Sequence, residues 1–576
     1  MHASLLRLIV CLAGLGAPAL VRAEITLDYV MFADPELEPP QSPQLLDDRL
    51  TPLWRQALAR PEGDLRRLAA EAVSTAHQRG FTVAAEARPE LLAVLGDQAT
   101  PDEVRWAAAR ALIVLEAQDA AGDLFAASQQ APKLRPLIEP QLADWRHAPL
   151  LDVLRARLTA EGTTRRDLMS AIDGIGRFAD AESLESLLEF VRDARRPADV
   201  RLASARAAGR CATSGLESLA GELSATDRPI VDRLCAAGLL TRHDAPQARE
   251  LLAAIAVDSE PSVAADALRT LYSIDPELVV PLAEGAIANW DANVRLEGLR
   301  CYATLPTVDR IAVLGRSLDD HHPRNRSFVR EELFRHARQP EFDAAVRQAV
   351  VTALATDAWR AQEQAALLVG ALDHEPAAPR TVELLESRRK EVMTTAAWTL
   401  RKLAVPETLP AMLDRATRES LNPTWDIDEV APQVAHLFEG MALMNFQEAD
   451  PLMRRHIPKK MVGAEMRGAA VWGLGVLHAG VPDEDLAKSL MERYLDTASS
   501  PSELPLVRRM SAVSIGRMKS AAQLEELKAR VGPVAGHNSD AYSARWAILQ
   551  ISGEEIPLAE VPTFFDRGWF LEAVPY

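Results

Sequence analysis

Val104-Arg105-Trp106-Ala107-Ala108-Ala109-Arg110-Ala111-Leu112 is the stretch that decides the fold. Its small and apolar beats fall at positions 0, 4, 5 and 8 counted from Val104. That spacing lays one stripe along an α-helix and points Arg110, at position 6, away from it. The phrase, an apolar residue often followed by Arg and then an Ala-rich run, reopens at Val200-Arg201, Val231-Asp232, Val263-Ala264, Val294-Arg295, Val329-Arg330 and Trp359-Arg360. Further copies begin at Val392-Met393, Met466-Arg467, Val507-Arg508 and Tyr542-Ser543, with weaker ones at Leu134-Arg135, Asp167-Leu168 and Val434. A return about every 31 to 33 residues marks a stacked repeat of about fifteen units.

Each unit reads as a helical hairpin. Before Val294, a first helix over Pro276 to Asn289, a turn at Trp290-Asp291-Ala292-Asn293 and a second helix from Val294 to Leu305 are expected. Neither helix covers its apolar stripe alone, so neighbouring hairpins must stack. A chain of 576 residues exceeds what one compact core accommodates. Its 48% hydrophobic and 5% aromatic content suits helices built from Ala and Leu. The period is most regular from Val104 to Val392 and loosens afterwards, with extra length expected in loops at Ser420 to Asp428 and Ala498 to Pro505.

The phrase Val-Arg-x-x-Ala-Ala-x-Ala-Leu, seen at Val104 to Leu112 and approached at Val200 to Ala208 and Met466 to Leu474, resembles the HEAT repeat. Its short bacterial form, of about 30 residues, is also met in bilin lyases of the phycocyanobilin type. The resemblance covers Leu53 to Ile551 and implies an all-α, right-handed α-α superhelix of the kind found in secreted bacterial HEAT-repeat proteins. HEAT arrays generally serve as scaffolds and binding surfaces. A non-enzymatic binding protein is therefore implied, with a lyase-like or hydrolytic enzyme or a purely structural envelope protein as alternatives.

The ends of the chain differ from the array. Met1 to Ala23, with Arg7 ahead of an apolar run and Val21-Arg22-Ala23 before Glu24, read as a secretory signal, so a periplasmic or extracellular location is expected. Residues 24–50 form a Pro-rich, extended lead-in expected to pack on the first repeat, the solenoid runs over 51–555, and 556–576 hold five aromatics expected to cap the last repeat. The formal net charge of −18 becomes −20 once Arg7 and Arg22 leave, because residues 1–23 contain no acid. Such a balance argues against nucleic acid as partner, and no later window is apolar enough to be membrane-embedded. Cys211, Cys235 and Cys301 are too scattered for a disulfide framework or a zinc cluster and read as buried thiols.

Position 6 of the second helix carries the candidate binding row: Arg110, Arg206, Arg269, Arg300 and Arg335, then Trp398 and Trp472. Guanidinium groups along one face suit carboxylates or sulfates and the indoles suit sugar or apolar faces, so a protein or an anionic polymer is the expected partner. The competing reading is that arginine here is an ordinary exposed helix former paired with neighbouring carboxylates. His321-His322 with Asp319 and Asp320 read as a solvated turn and not as a metal site, with His336 at the far end of the helix that follows. Met441, Met444, Met453, Met461 and Met466 with His436, His456 and His478 read as core packing and not as a copper surface. No hydrolase, zincin, phosphate-loop or haem motif occurs, and neither a cofactor nor a metal is expected.

Overall fold

The structure is a computed structural model that describes residues 25–37, 50–422 and 427–559. Among them are thirty-one α-helices and no strand, only an isolated parallel bridge between Ala535 and Leu558. The protein is an all-α array of stacked hairpins, and the second helices of successive hairpins lie side by side. The expected signal and the bulk of the aromatic cap, 560–576, fall outside the described residues. The chain divides into two compact units. One comprises Glu36–Pro306, Val531–Tyr542 and Ile556–Tyr576; the other comprises Met1–Pro35, Thr307–Arg530 and Ser543–Glu555.

In the unit of earlier repeats, the apolar beats Val104, Ala108, Ala109 and Leu112 are buried. The hairpin before Val294 opens with a 3-10 turn at Pro276–Val279, continues as Val280–Ile287 and returns as Ala292–Thr304. The Asp291 carboxylate accepts from the Asn293 and Val294 amides and so starts the second helix. The arginine that follows the opening residue has a structural duty. Arg105 donates to the Leu95 carbonyl at 2.9 Å and Arg201 to the Val191 carbonyl at 3.0 Å, each ten residues upstream. These carbonyls end the preceding helix, where backbone acceptors have no partner within the helix and a cation meets the negative end of the dipole. Arg201 also pairs with Asp232 of the next hairpin, so one side chain ties three helices together.

In the unit of later repeats the second helices needed below are α2 (Trp359–Ala371), α3 (Lys390–Leu403), α4 (Ile427–Leu443), α5 (Ala464–Leu477) and α6 (Pro505–Met518); a short helix near the N-terminus, Val30–Ala33, is α1. The same arginine device recurs on α5, where Arg467 reaches the His456 carbonyl at 3.2 Å and forks to Glu503 at 2.7 and 2.9 Å with both side chains fully buried. Helices α5 and α6 approach closely because Gly475 carries no side chain; a Cβ there would collide with the Ser514 hydroxyl and stand 2.7 Å from Ser514 Cα. Among the described residues Cys211, Cys235 and Cys301 are buried, and burial pushes the Cys211 thiol up to about 11 and the Cys235 thiol up to about 12.

The lead-in departs from expectation. Its residues up to Pro35 belong to the unit of later repeats, pack on α3 to α6 instead of the first repeat, and include the turn of helix α1. The reason is chemical. Ile25 to Pro35 hold two carboxylates and no base, and the later inner helices present arginines and tryptophans that satisfy them.

Candidate functional site

The groove across α3, α4, α5 and α6 holds the segment Ile25–Pro35. At its near end the Trp398 indole of α3 donates to Asp28 Oδ1 at 2.7 Å, and Arg401, one turn further on, donates to Asp28 Oδ1 and to the Asp28 carbonyl, both at 2.7 Å. At its far end the Trp472 indole of α5 donates to the Asp34 carbonyl at 2.8 Å, Arg517 of α6 pairs with the Asp34 carboxylate at 2.6 Å, and Arg509 donates to the Phe32 carbonyl at 3.1 Å. Two tryptophans at one repeat register thus grip the two ends of one segment. Between them Met31 is fully buried, its amide donating to Glu439 Oε1 of α4 at 2.9 Å.

Each gripping group is held by the array itself. Glu439, wholly buried, accepts from Arg401 through its second oxygen, so the guanidinium is fixed between α3 and α4. The Trp398 ring fills the space above Gly370 of α2, where a Cβ would stand 2.6 Å from it. Arg517 lies over the Trp472 ring, 5.3 Å from its centroid. Gly468 of α5 leaves room for Leu506 of α6, 2.8 Å from where a Cβ would stand, and for the Met31 sulfur, 3.3 Å from it.

Electrostatics favour an acidic occupant. Burial would raise the Asp28 carboxyl, but the Trp398 hydrogen bond and the Arg401 and Lys402 charges outweigh it and hold the group below its usual value. Tyr29 stacks on the imidazole of His436 with ring centroids 4.5 Å apart and planes 14° from parallel. Burial, reinforced by Glu465 and Glu439, pushes the Tyr29 phenol up to about 12, so it stays protonated. Burial likewise lowers His436, leaving a neutral ring against the phenol at neutral pH. The arrangement offers hydrogen bonds to three main-chain carbonyls and one amide plus two carboxylate sites. That is recognition chemistry for an extended polypeptide.

The seven residues of the candidate row are divided between the two units. Arg110, Arg206, Arg269 and Arg300 lie in the unit of earlier repeats; Arg335, Trp398 and Trp472 lie in the other. Arg206 pairs with Asp266 at 3.2 Å, Arg269 with Asp266 and Glu297, and Arg300 with Glu297, so three of the arginines share two carboxylates of their own array. Arg335 pairs with Glu332 and Arg110 lies over Trp106. Trp398 and Trp472 are buried, with 3% and 0% exposure, and the segment lies against both. Sequence reasoning missed Arg401, Arg509, Arg517 and Glu439. A signal was present in Arg401, which lies three residues after Trp398 and hence on the same helical face.

The histidine clusters are structural. His321 accepts from Arg360, His336 is buried edge-on to Phe342, and His478 pairs with Asp450. Met441, Met453 and Met466 are core residues, and among the described residues no group of three His, Cys, Asp or Glu could hold a metal ion. No helix of the described residues is long and apolar enough to cross a membrane.

No family model matches the chain, and no curated protein matches it. Among solved structures it is similar to importin-beta crystallised from ammonium sulfate, with 13% identity, TM-score 0.45 and coverage of 87% of this chain and 72% of that one. Yeast importin-beta, Kap95p, gives 15% identity, TM-score 0.41, and coverage of 88% and 73%. The complex of CpcE and CpcF of phycocyanin lyase from a Nostoc species gives 16% identity, TM-score 0.28, and coverage of 43% and 88%.

Proposed function

We propose that the chain is an exported, non-enzymatic scaffold whose working surface is the groove over α3 to α6, and that this groove binds polypeptide. The observation that carries the reading is that side chains from four successive inner helices converge on the backbone of one segment. An anionic polymer laid along the arginine row is the weaker reading, since Arg206, Arg269 and Arg300 already share Asp266 and Glu297. The test is random-peptide display panned against protein in which Ile25–Pro35 is replaced by a Gly/Ser stretch. Enriched peptides should lose binding when Arg401→Ala or Trp472→Ala is added. Enrichment indifferent to both changes would place peptide binding elsewhere and refute the groove.

A further inference from the structure

We propose that Ile25–Pro35 is a tethered internal ligand, and that the groove takes in trans an acidic peptide: a carboxylate followed directly by an aromatic, then a buried methionine-like residue, then a second carboxylate six residues after the first. The proposal rests on the peptide-groove reading and deepens it by naming the ligand and the device that masks the site.

The groove is complete without its occupant. The Arg401 to Glu439 pair, the seat of Trp398 against Gly370 and the stack of Arg517 on Trp472 are contacts among α2 to α6 alone. The segment adds to this frame like a peptide, through four of its side chains. Tyr29 and the buried Met31 pack into the frame, and Asp28 and Asp34 reach its arginines while staying half-exposed, at 55% and 47%. Helix α1 is one turn long and sets the spacing between Asp28 and Asp34. Specificity follows from those four. Arg401 and Lys402 select the first carboxylate, His436 the flat ring after it, the space over Gly468 a slender apolar side chain, and Arg517 the second carboxylate. The contacts to the Asp28, Phe32 and Asp34 carbonyls accept any sequence.

At an effective concentration of about 1 mM, a ligand that is part of the same chain competes intramolecularly with any free peptide. An identical free peptide that would bind the empty groove with a Kd of about 10 µM is then weakened by the ratio of these two concentrations, about 100-fold. The occupied groove is therefore a guarded one. It opens to a partner that binds better than the tether, or that arrives at high local concentration.

The test uses the purified full-length protein and a fluorescein-labelled peptide of residues 25–37, read by anisotropy. The double variant Asp28→Lys, Asp34→Lys reverses charge in the tether and leaves the groove untouched. It should bind the peptide at least about 30-fold more tightly than the wild-type protein does. A peptide carrying the same two lysines should bind neither protein. The proposal is overturned if the double variant exchanges its Met31 amide at the free-chain rate yet binds the peptide no better than wild type. It is equally overturned if the reversed tether stays seated. Should the variant misfold, the wild-type protein is titrated with isotopically labelled peptide to about 10 mM. Saturable loss of protection in its own segment supports the proposal, and none overturns it. Groove-dependent display peptides of unrelated sequence would sink this ligand assignment while leaving the groove reading intact, and no groove-dependent peptide at all would sink both.

Discussion

Asp28→Ala tests how the segment is held, because it removes an anchor without touching the array. The Asp28 carboxylate accepts from Trp398 and from Arg401, both at 2.7 Å. In a dry site each charged hydrogen bond contributes about 1.5–3 kcal/mol. The Asp28 side chain is 55% exposed, however, so screening reduces each to about 1 kcal/mol. The pair together is then expected to contribute about 1.5–2 kcal/mol, a factor of about 10–30 in the equilibrium for leaving the groove. The Met31 amide reports that equilibrium, since it donates to the buried Glu439 carboxylate only while the segment is seated. Hydrogen exchange at Met31 should accelerate about 10–30-fold in Asp28→Ala at neutral pH, with the thermal midpoint of the array nearly unchanged. The carboxyl is held below its ordinary 3.8, so its contribution is full above 3.8 and disappears as pH falls through the lower value of the seated state. Wild type and variant should therefore converge in strong acid. A change below about threefold at neutral pH, or a gap that persists in acid, would refute the anchoring argument.

Other perturbations probe the frame. Glu503→Gln leaves the fully buried Arg467 without its counter-charge and should cost about 3–5 kcal/mol in urea unfolding. Replacing Arg269 and Arg300 together by Ala strands the Glu297 carboxylate, whose side chain is 2% exposed; both arginines are partly solvated, so a smaller loss, about 2 kcal/mol, should appear in the same assay. Burial holds His456 down at about 4 and lowers His436 as well, so both are neutral when folded and take up protons more readily when unfolded. Their contribution is complete above about 6.5 and declines below it, for His456 as pH falls toward 4, with a slope of up to about 1.4 kcal/mol per pH unit for each. The unfolding midpoint should drop between pH 7 and pH 5, and His456→Leu should flatten that slope.

The array was legible because its signal is periodic. One stripe repeated many times outweighs local ambiguity, and Val104, Ala108, Ala109 and Leu112 are buried as the spacing demands. The register at position 6 was also informative, since it picked out Trp398 and Trp472, but their role was not. A side chain that leaves the hairpin stripe faces either water or another part of the chain, and periodicity does not distinguish these. The arginine at position 1 was seen as part of the phrase, yet its use as a clamp on upstream carbonyls depends on where the preceding helix ends, which the stripe does not encode. The lead-in was least legible. Its proline content says that it is not a long helix, while its docking depends on contacts with residues 370 to 480 positions away, such as Asp28 with Trp398 and Phe32 with Arg509. Only the acid-rich, base-free composition of Ile25 to Pro35 hinted that it would seek cations.

The docking of that segment is tested most directly by replacing Phe32, which is half-exposed at the groove rim, with a photo-crosslinking benzoylphenylalanine and mapping the adduct by mass spectrometry. The Phe32 carbonyl lies against Arg509, so adducts are predicted within the stretch leading into and through α6, near Leu504 to Arg509. Adducts concentrated instead on the first helices of the array, between Leu50 and Gln78, would contradict the account.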